Sequence, residues 1–214
     1  MAEADIMLPY VEAVAALARK VEVTDSERAI VPLERAAHRA IDLILRLKDE
    51  GRKVLLIGNG GSAAIASHTH NDLCKAVGVR AMVFVESPLL TALSNDHGYD
   101  CVFERPVELW AAAGDLMIAI SSSGRSENIL RAVRVSRGRG CGIITFSGFQ
   151  TDNPLRRLGD LNFYVPSPVY GHVELVHSVL AHFLTDYAAS ADADGVRSAA
   201  HTARGGDAEG RGRS

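Results

Sequence analysis

Cysteine is scarce: Cys74, Cys101 and Cys141 are the only three in 214 residues, widely spaced and without a C-x-x-C pair. Such an odd, scattered set argues against a disulfide framework and a thiolate zinc site and fits a reducing cytoplasm. Charge of one sign is also lacking, since 23 Lys and Arg against 26 Asp and Glu leave a net charge of −3. Without a basic field nothing holds a nucleic-acid backbone, so no nucleic-acid partner is expected. No apolar run approaches the length of a membrane span, and the first residues, MAEADIM, carry acid where a secretory signal needs positive charge. No membrane partner is expected, and the protein is expected to be soluble and cytoplasmic. Internal repeats, a Walker loop and a strand-linked G-x-G-x-x-G are absent as well, which argues against a nucleotide as the first ligand.

What remains is a chain able to build a core, with 47% hydrophobic residues and a mean hydropathy of +0.06. Residues 1–50 carry helical periodicity twice, over 6–21 and again over 26–50, where Ile30, Leu33, Ala37, Ile41, Ile44 and Leu45 form a stripe. This segment is expected to be helical, to belong to the same domain and to serve oligomerisation, because its apolar face needs a cover. From Lys53 short apolar runs alternate with helical stretches: 54–57, 81–85, 116–120, 142–146 and 161–165. Strands apolar on both faces and separated by helices predict a parallel doubly wound sheet over 51–187. After Tyr187 large apolar residues almost vanish, and residues 188–214 are expected to be a disordered tail.

Ligands of such a sheet bind beyond the carboxyl ends of its strands, which directs attention to two loops. The first, Gly58-Asn59-Gly60-Gly61-Ser62, offers close backbone approach, free N–H donors and Ser62 as a helix N-cap. It suits an anion or sugar hydroxyls, and equally a plain tight turn. The second, Ser121-Ser122-Ser123-Gly124-Arg125-Ser126, sets four hydroxyls around one glycine just past a buried strand. Hydroxyls and helix-terminal N–H groups together can surround a phosphate, so a small phosphorylated metabolite is the expected ligand.

Two helical stretches supply ionisable groups. His68 and Asp72 stand four apart on the first, and Glu174, His177, Ser178 and His182 fall near one face of the last. Two carboxylates and two or three imidazoles could bind a metal such as Zn²⁺ or act directly as acid and base at a sugar carbonyl. His97 and His172 are further possibilities, whereas turn chemistry accounts for Asn95, Asp96 and Gly98.

GNGGSAAIASH at 58–68, SNDHGYDCVF at 94–103, GDLMIAISSSGRSENIL at 114–130 and VELVHSVLAH at 173–182, taken in this order and spacing, resemble the sugar isomerase (SIS) domain. Within it they are most similar to the bacterial phosphoheptose isomerases. The resemblance, running from about Ile6 to Tyr187, implies a three-layer αβα sandwich on a five-stranded, mainly parallel sheet. It implies a homotetramer with active sites shared between subunits, and interconversion of sedoheptulose 7-phosphate with D-glycero-D-manno-heptose 7-phosphate for heptose biosynthesis. By position, Asn59, Gly60, Gly61, Ser62, Asp96, Ser121, Ser122, Ser123, Ser126 and Glu174 would bind substrate and phosphate. His68, Asp72, Glu174 and His182 fall on the family's metal positions, implying one Zn²⁺ per subunit, with Asp72 the base and His182 the acid. Three departures stand out: Asp72 for the usual Glu, Glu174 for the usual Gln, and Gly171 for an Asp near the sugar. They leave room for another ketose phosphate. The other alternative is a non-catalytic tetramer of the type that binds the replication initiator.

Overall fold

The computed structural model describes residues 5–206. In chain order these form α1 (Met7–Ala18), β1 (Glu22–Asp25), β2 (Ile30–Val31), α2 (Leu33–Asp49), β3 (Lys53–Gly58), α3 (Gly60–Asp72), β4 (Arg80–Val83) and α4 (Ser87–His97). There follow α5 (Glu104–Trp110), β5 (Leu116–Ser121), α6 (Glu127–Gly138), β6 (Gly142–Gly148), β7 (Leu161–Val165) and α7 (Tyr170–Gly206). A π-helical turn, Leu73–Val77, closes α3, and a 3-10 turn, Tyr99–Cys101, follows α4.

All seven strands join one sheet in the order β2-β1-β7-β6-β5-β3-β4. The five from β3 to β7 run parallel, as their unbroken apolar runs require of strands covered on both faces. Alternation within each strand divides the core. Val54, Leu56, Leu116, Ile118 and Ile120 face α2, α3 and α7, whereas Leu55, Ile57, Met117 and Ala119 face α5 and α6. Each large side chain fully buried in this way contributes about 1.5–3 kcal/mol. The architecture is therefore the expected three-layer α/β sandwich. β4 follows β3 toward one edge while β6 and β7 follow β5 toward the other, so the strand order reverses between β3 and β5. Their carboxyl ends, Gly58 and Ser121, open into the two loops singled out above.

The sheet has seven strands rather than five, because residues 1–50 are not wholly helical. Val21-Glu22-Val23-Thr24 alternates apolar and polar, and β1 pairs antiparallel with β7 through Val23 and Phe163. The turn back to β2 is closed by Asp25 Oδ1, which accepts the N–H groups of Glu27 and Ala29, with Arg28 at φ +66°. The second helix consequently begins at Leu33, after Pro32, and not at residue 26. At the other end α7 continues past the boundary placed after Tyr187: Ala188 is fully buried and the helix extends to Gly206. Ala188 packs with Leu184 in the core under α2 and α7, which holds the helix beyond the point where large apolar residues thin out. Residues 207–214 of the expected disordered tail lie outside the described residues.

Candidate active site

α3 leaves the carboxyl end of β3 and α7 the carboxyl end of β7, so both run back along the same face of the sheet with a groove between them. Glu174, Ser178 and His182 recur every four residues on α7 and line this groove opposite Gly61, Ile65, His68 and Asp72 of α3. In its lower part, a cleft of about 270 Å³, Asp72 Oδ2 lies 3.4 Å from His68 Nε2 and 3.6 Å from His182 Nδ1. The two imidazole rings stand 4.8 Å apart. Asp72 Oδ1 accepts Asn71 Nδ2 at 3.3 Å, which leaves Oδ2 to face the histidines.

These three side chains bring one ligand atom each within 4.8 Å of the others, a group that could hold a metal ion. Ligands about 2.1 Å from a tetrahedral centre stand roughly 3.4 Å from each other, so the two Asp72 distances already suit a three-ligand site with an open fourth position. Glu174 is not part of this group. Two turns of α7, about 12 Å of rise, separate it from His182. Its carboxylate lies instead against Gly61, where any Cβ would collide with it. His177 also parts from His182. It is fully buried on the sheet side of α7 and donates Nε2–H to the Ser147 carbonyl at 3.1 Å, and burial pushes its pKa down to about 4.

The serine loop lies at the carboxyl end of β5. Ser121 Oγ accepts Gly124 N–H at 3.2 Å, and Ser123 Oγ accepts Arg125 N–H at 3.3 Å. Gly124 has φ +62°, and its Cα rests against the buried Asn153, whose Nδ2 donates to Ser147 Oγ and to two carbonyls. A side chain at Gly124 would be excluded twice, by its backbone angle and by Asn153. Ser122 Oγ is buried without a partner among the described residues, as is His177 Nδ1. Ser126 is the N-cap of α6 but makes no side-chain cap. An uncapped helix start beside a buried orphan hydroxyl suits an anion. Arg125, half exposed, pairs with Asp152 at 3.2 Å.

Of the other expected residues, Ser62 is buried in the first turn of α3, whose N-cap is Asn59 rather than Ser62. Asp96 is exposed on α4 and accepts Asn95 Nδ2 at 2.9 Å. The segment that follows it is tied to the first loop by Tyr99, whose hydroxyl donates to Asn59 Oδ1 at 2.9 Å. Tyr99 and Asn128, which pairs with the Asn59 amide, were not among the expected site residues. Only the presence of Asn128 in the first turn after the serine loop could have pointed to it.

Known proteins resemble the chain in sequence and in fold. The SIS domain family matches residues 9–148. The phosphoheptose isomerase of Aliarcobacter butzleri is 38% identical over 157 residues, covering 71% of this chain and 80% of its own. That of Helicobacter hepaticus is 34% identical over 167 residues, covering 75% and 85%. Among solved structures, the phosphoheptose isomerase GmhA of Neisseria gonorrhoeae superimposes with a TM-score of 0.74 at 27% identity, over 86% of this chain and 97% of its own. A family match over more than half of the chain, and relatives at 38% and 34% identity covered over most of their length, show that the chain belongs to the SIS domain family and, within it, to the phosphoheptose isomerases.

Proposed function

We propose that the protein is an aldose–ketose isomerase that converts sedoheptulose 7-phosphate to D-glycero-D-manno-heptose 7-phosphate for heptose biosynthesis in the cytoplasm. The observation that carries this assignment is the meeting of Asp72 with His68 and His182 in a groove of the domain that also bears the serine loop. Ser121, Ser122, Ser123 and Ser126 hold the phosphate, with Ser62 and the first turns of α3 and α6 supplying N–H donors. Asn59, Asp96 and Glu174 contact the sugar.

The isomerisation moves one proton between adjacent carbons. Asp72 removes a proton from C1, the bonding pair becomes the C1=C2 double bond, and the carbonyl oxygen carries the enediolate charge. His182 then delivers a proton to C2 while the C1 hydroxyl passes its own to the C2 oxygen, which leaves an aldehyde at C1 and a hydroxyl at C2, and the proton held by Asp72 returns to His182. The donor set His68, Asp72 and His182, two imidazoles and one carboxylate, suits Zn²⁺, one per subunit. When bound, such an ion supplies Lewis-acid polarisation of the substrate oxygens.

A homotetramer with sites shared between subunits fits two features. Twelve residues of α3 separate Gly60 from Asp72, about 18 Å of helix, so one chain holds its glycine loop and its base well apart. Ile6, just before the first helix, and Met7, Leu8 and Val11 within it also stand exposed, as do Val169 and Tyr170, an apolar face that another copy would cover.

Incubation of zinc-replete protein with sedoheptulose 7-phosphate, followed by NMR beside a chelated sample, tests the assignment. Appearance of the aldoheptose, lost on chelation, is the expected result. No conversion by folded protein would contradict it and would favour another ketose phosphate or a binding role.

A further inference from the structure

An asparagine at a helix N-cap ordinarily turns its side-chain oxygen onto the first free N–H groups of its own helix. Asn59, at the N-cap of α3, makes no such bond. Its Oδ1 accepts instead from Tyr99 Oη and from Asn128 Nδ2, each at 2.9 Å, while its Nδ2 donates to Asn128 Oδ1 at 3.0 Å. The sense of this paired amide is fixed by a third bond: Asn128 Oδ1 also accepts the backbone N–H of Ile129 at 3.0 Å. A backbone N–H only donates, so Asn128 cannot be reversed, and reversing Asn59 would set two NH₂ groups face to face. Asn128 is 2% exposed and Asn59 is half-buried, so the Asn128 side of the pair is shielded from competing water.

We infer that Asn128 and Tyr99 are positioning residues that hold Asn59 off its own helix. The second Nδ2–H of Asn59, without a partner among the described residues, and the backbone N–H groups opening α3 are thereby kept as donors for substrate oxygen. The side-chain oxygen of Asn59 is used up within the protein, so the Asn59 side chain gives a hydrogen bond here and takes none. It therefore selects for the acceptor oxygens of a phosphate ester or an enediolate, a selection that rests on the isomerase assignment above. Without Asn128, Asn59 is free to swing back and cap α3, which satisfies the helix at the expense of the site.

The test is a double-mutant cycle with a structural readout beside it. Asn128→Leu is expected to keep or raise the melting temperature while lowering kcat/KM at least about tenfold, the worth of one or two hydrogen bonds. Asn59→Ala is expected to lower it as much, and the double variant no further. Because Tyr99 is half exposed, Tyr99→Phe provides the same cycle against Asn59→Ala should the Leu variant not fold. In the substrate-free protein, the Asn59 side-chain amide is expected to show one slowly exchanging and one fast proton by NMR, a difference erased by Asn128→Leu. That signal requires no turnover, so its presence in an inactive wild type would overturn the isomerase assignment and leave the amide lock standing. Multiplicative losses in the cycle, unchanged kcat/KM in the single variants, or an Asn59 amide insensitive to Asn128 would overturn the lock.

Discussion

Asp72 Oδ2 lies 3.6 Å from His182 Nδ1, a contact that joins the last residue of α3 to the middle of α7. The base and acid proposed above are thus held by two helices packed on one sheet, and neither side chain is buried. Asp72→Asn keeps the shape and removes the base, and His182→Gln removes the acid. Each is expected to lower kcat by about 10²–10⁴-fold, with a melting temperature close to wild type because the two groups face the groove and not the core. A loss of activity that merely tracks loss of fold would contradict these roles.

Metal binding gives an independent readout on the same group. Zn²⁺ at 100 times its dissociation constant is expected to stabilise the protein by about 2.7 kcal/mol, seen as a rise in melting temperature. His68→Ala, which leaves two ligands, is expected to abolish most of that rise. An equal rise in the variant would place the ion elsewhere.

Ser122 carries its hydroxyl buried and unpartnered, a cost of about 1–3 kcal/mol to the substrate-free fold. Ser122→Ala is therefore expected to leave stability unchanged or raised, while KM for the sugar phosphate increases about tenfold as a hydrogen bond to phosphate is lost. Equilibrium unfolding and steady-state kinetics on the same preparation separate the two. A variant both less stable and unimpaired in KM would show that the hydroxyl serves the fold.

His177 predicts a pH dependence of stability. Its folded-state pKa, lowered by burial to about 4, lies below the value near 6.5 of an unfolded histidine. Between those values the unfolded chain binds the proton and the folded one does not, so the stability contributed by neutral His177 is complete above pH 6.5 and is lost as pH falls toward 4. The loss over that window amounts to about 3 kcal/mol. Urea unfolding at pH 7 and pH 5 captures about 2 kcal/mol of it, and His177→Gln is expected to flatten the slope. An unchanged slope in the variant would assign the dependence to other groups.

Much of this was legible in the sequence, for identifiable reasons. The five parallel strands announced themselves because both their faces are buried, and the serine and glycine loops because four hydroxyls past an apolar run have few other uses. The β1–β2 hairpin was hidden by its brevity: four and two residues beside helical stretches, with Ile30 falling by chance on the helical stripe. Spacing along α7 set Glu174, His177 and His182 on one broad face. The structure divides that face, turning His177 into the sheet and Glu174 toward Gly61, because only packing decides which edge of a helix meets which neighbour. The Asn59–Asn128 pair joins the loops after β3 and β5, and no local pattern reveals such a cross-loop contact.

The central claim, that Asp72 takes the proton from C1 and His182 returns one to C2, is tested most directly by running the isomerisation of sedoheptulose 7-phosphate in D₂O. Asp72 and His182 are both partly exposed, so the protons they carry exchange with solvent. The account predicts deuterium at C2 of the aldoheptose and at C1 of the recovered ketose, both lost in Asp72→Asn. Aldoheptose formed with protium alone at C2, or deuterium exchange undiminished in the Asn variant, would contradict it.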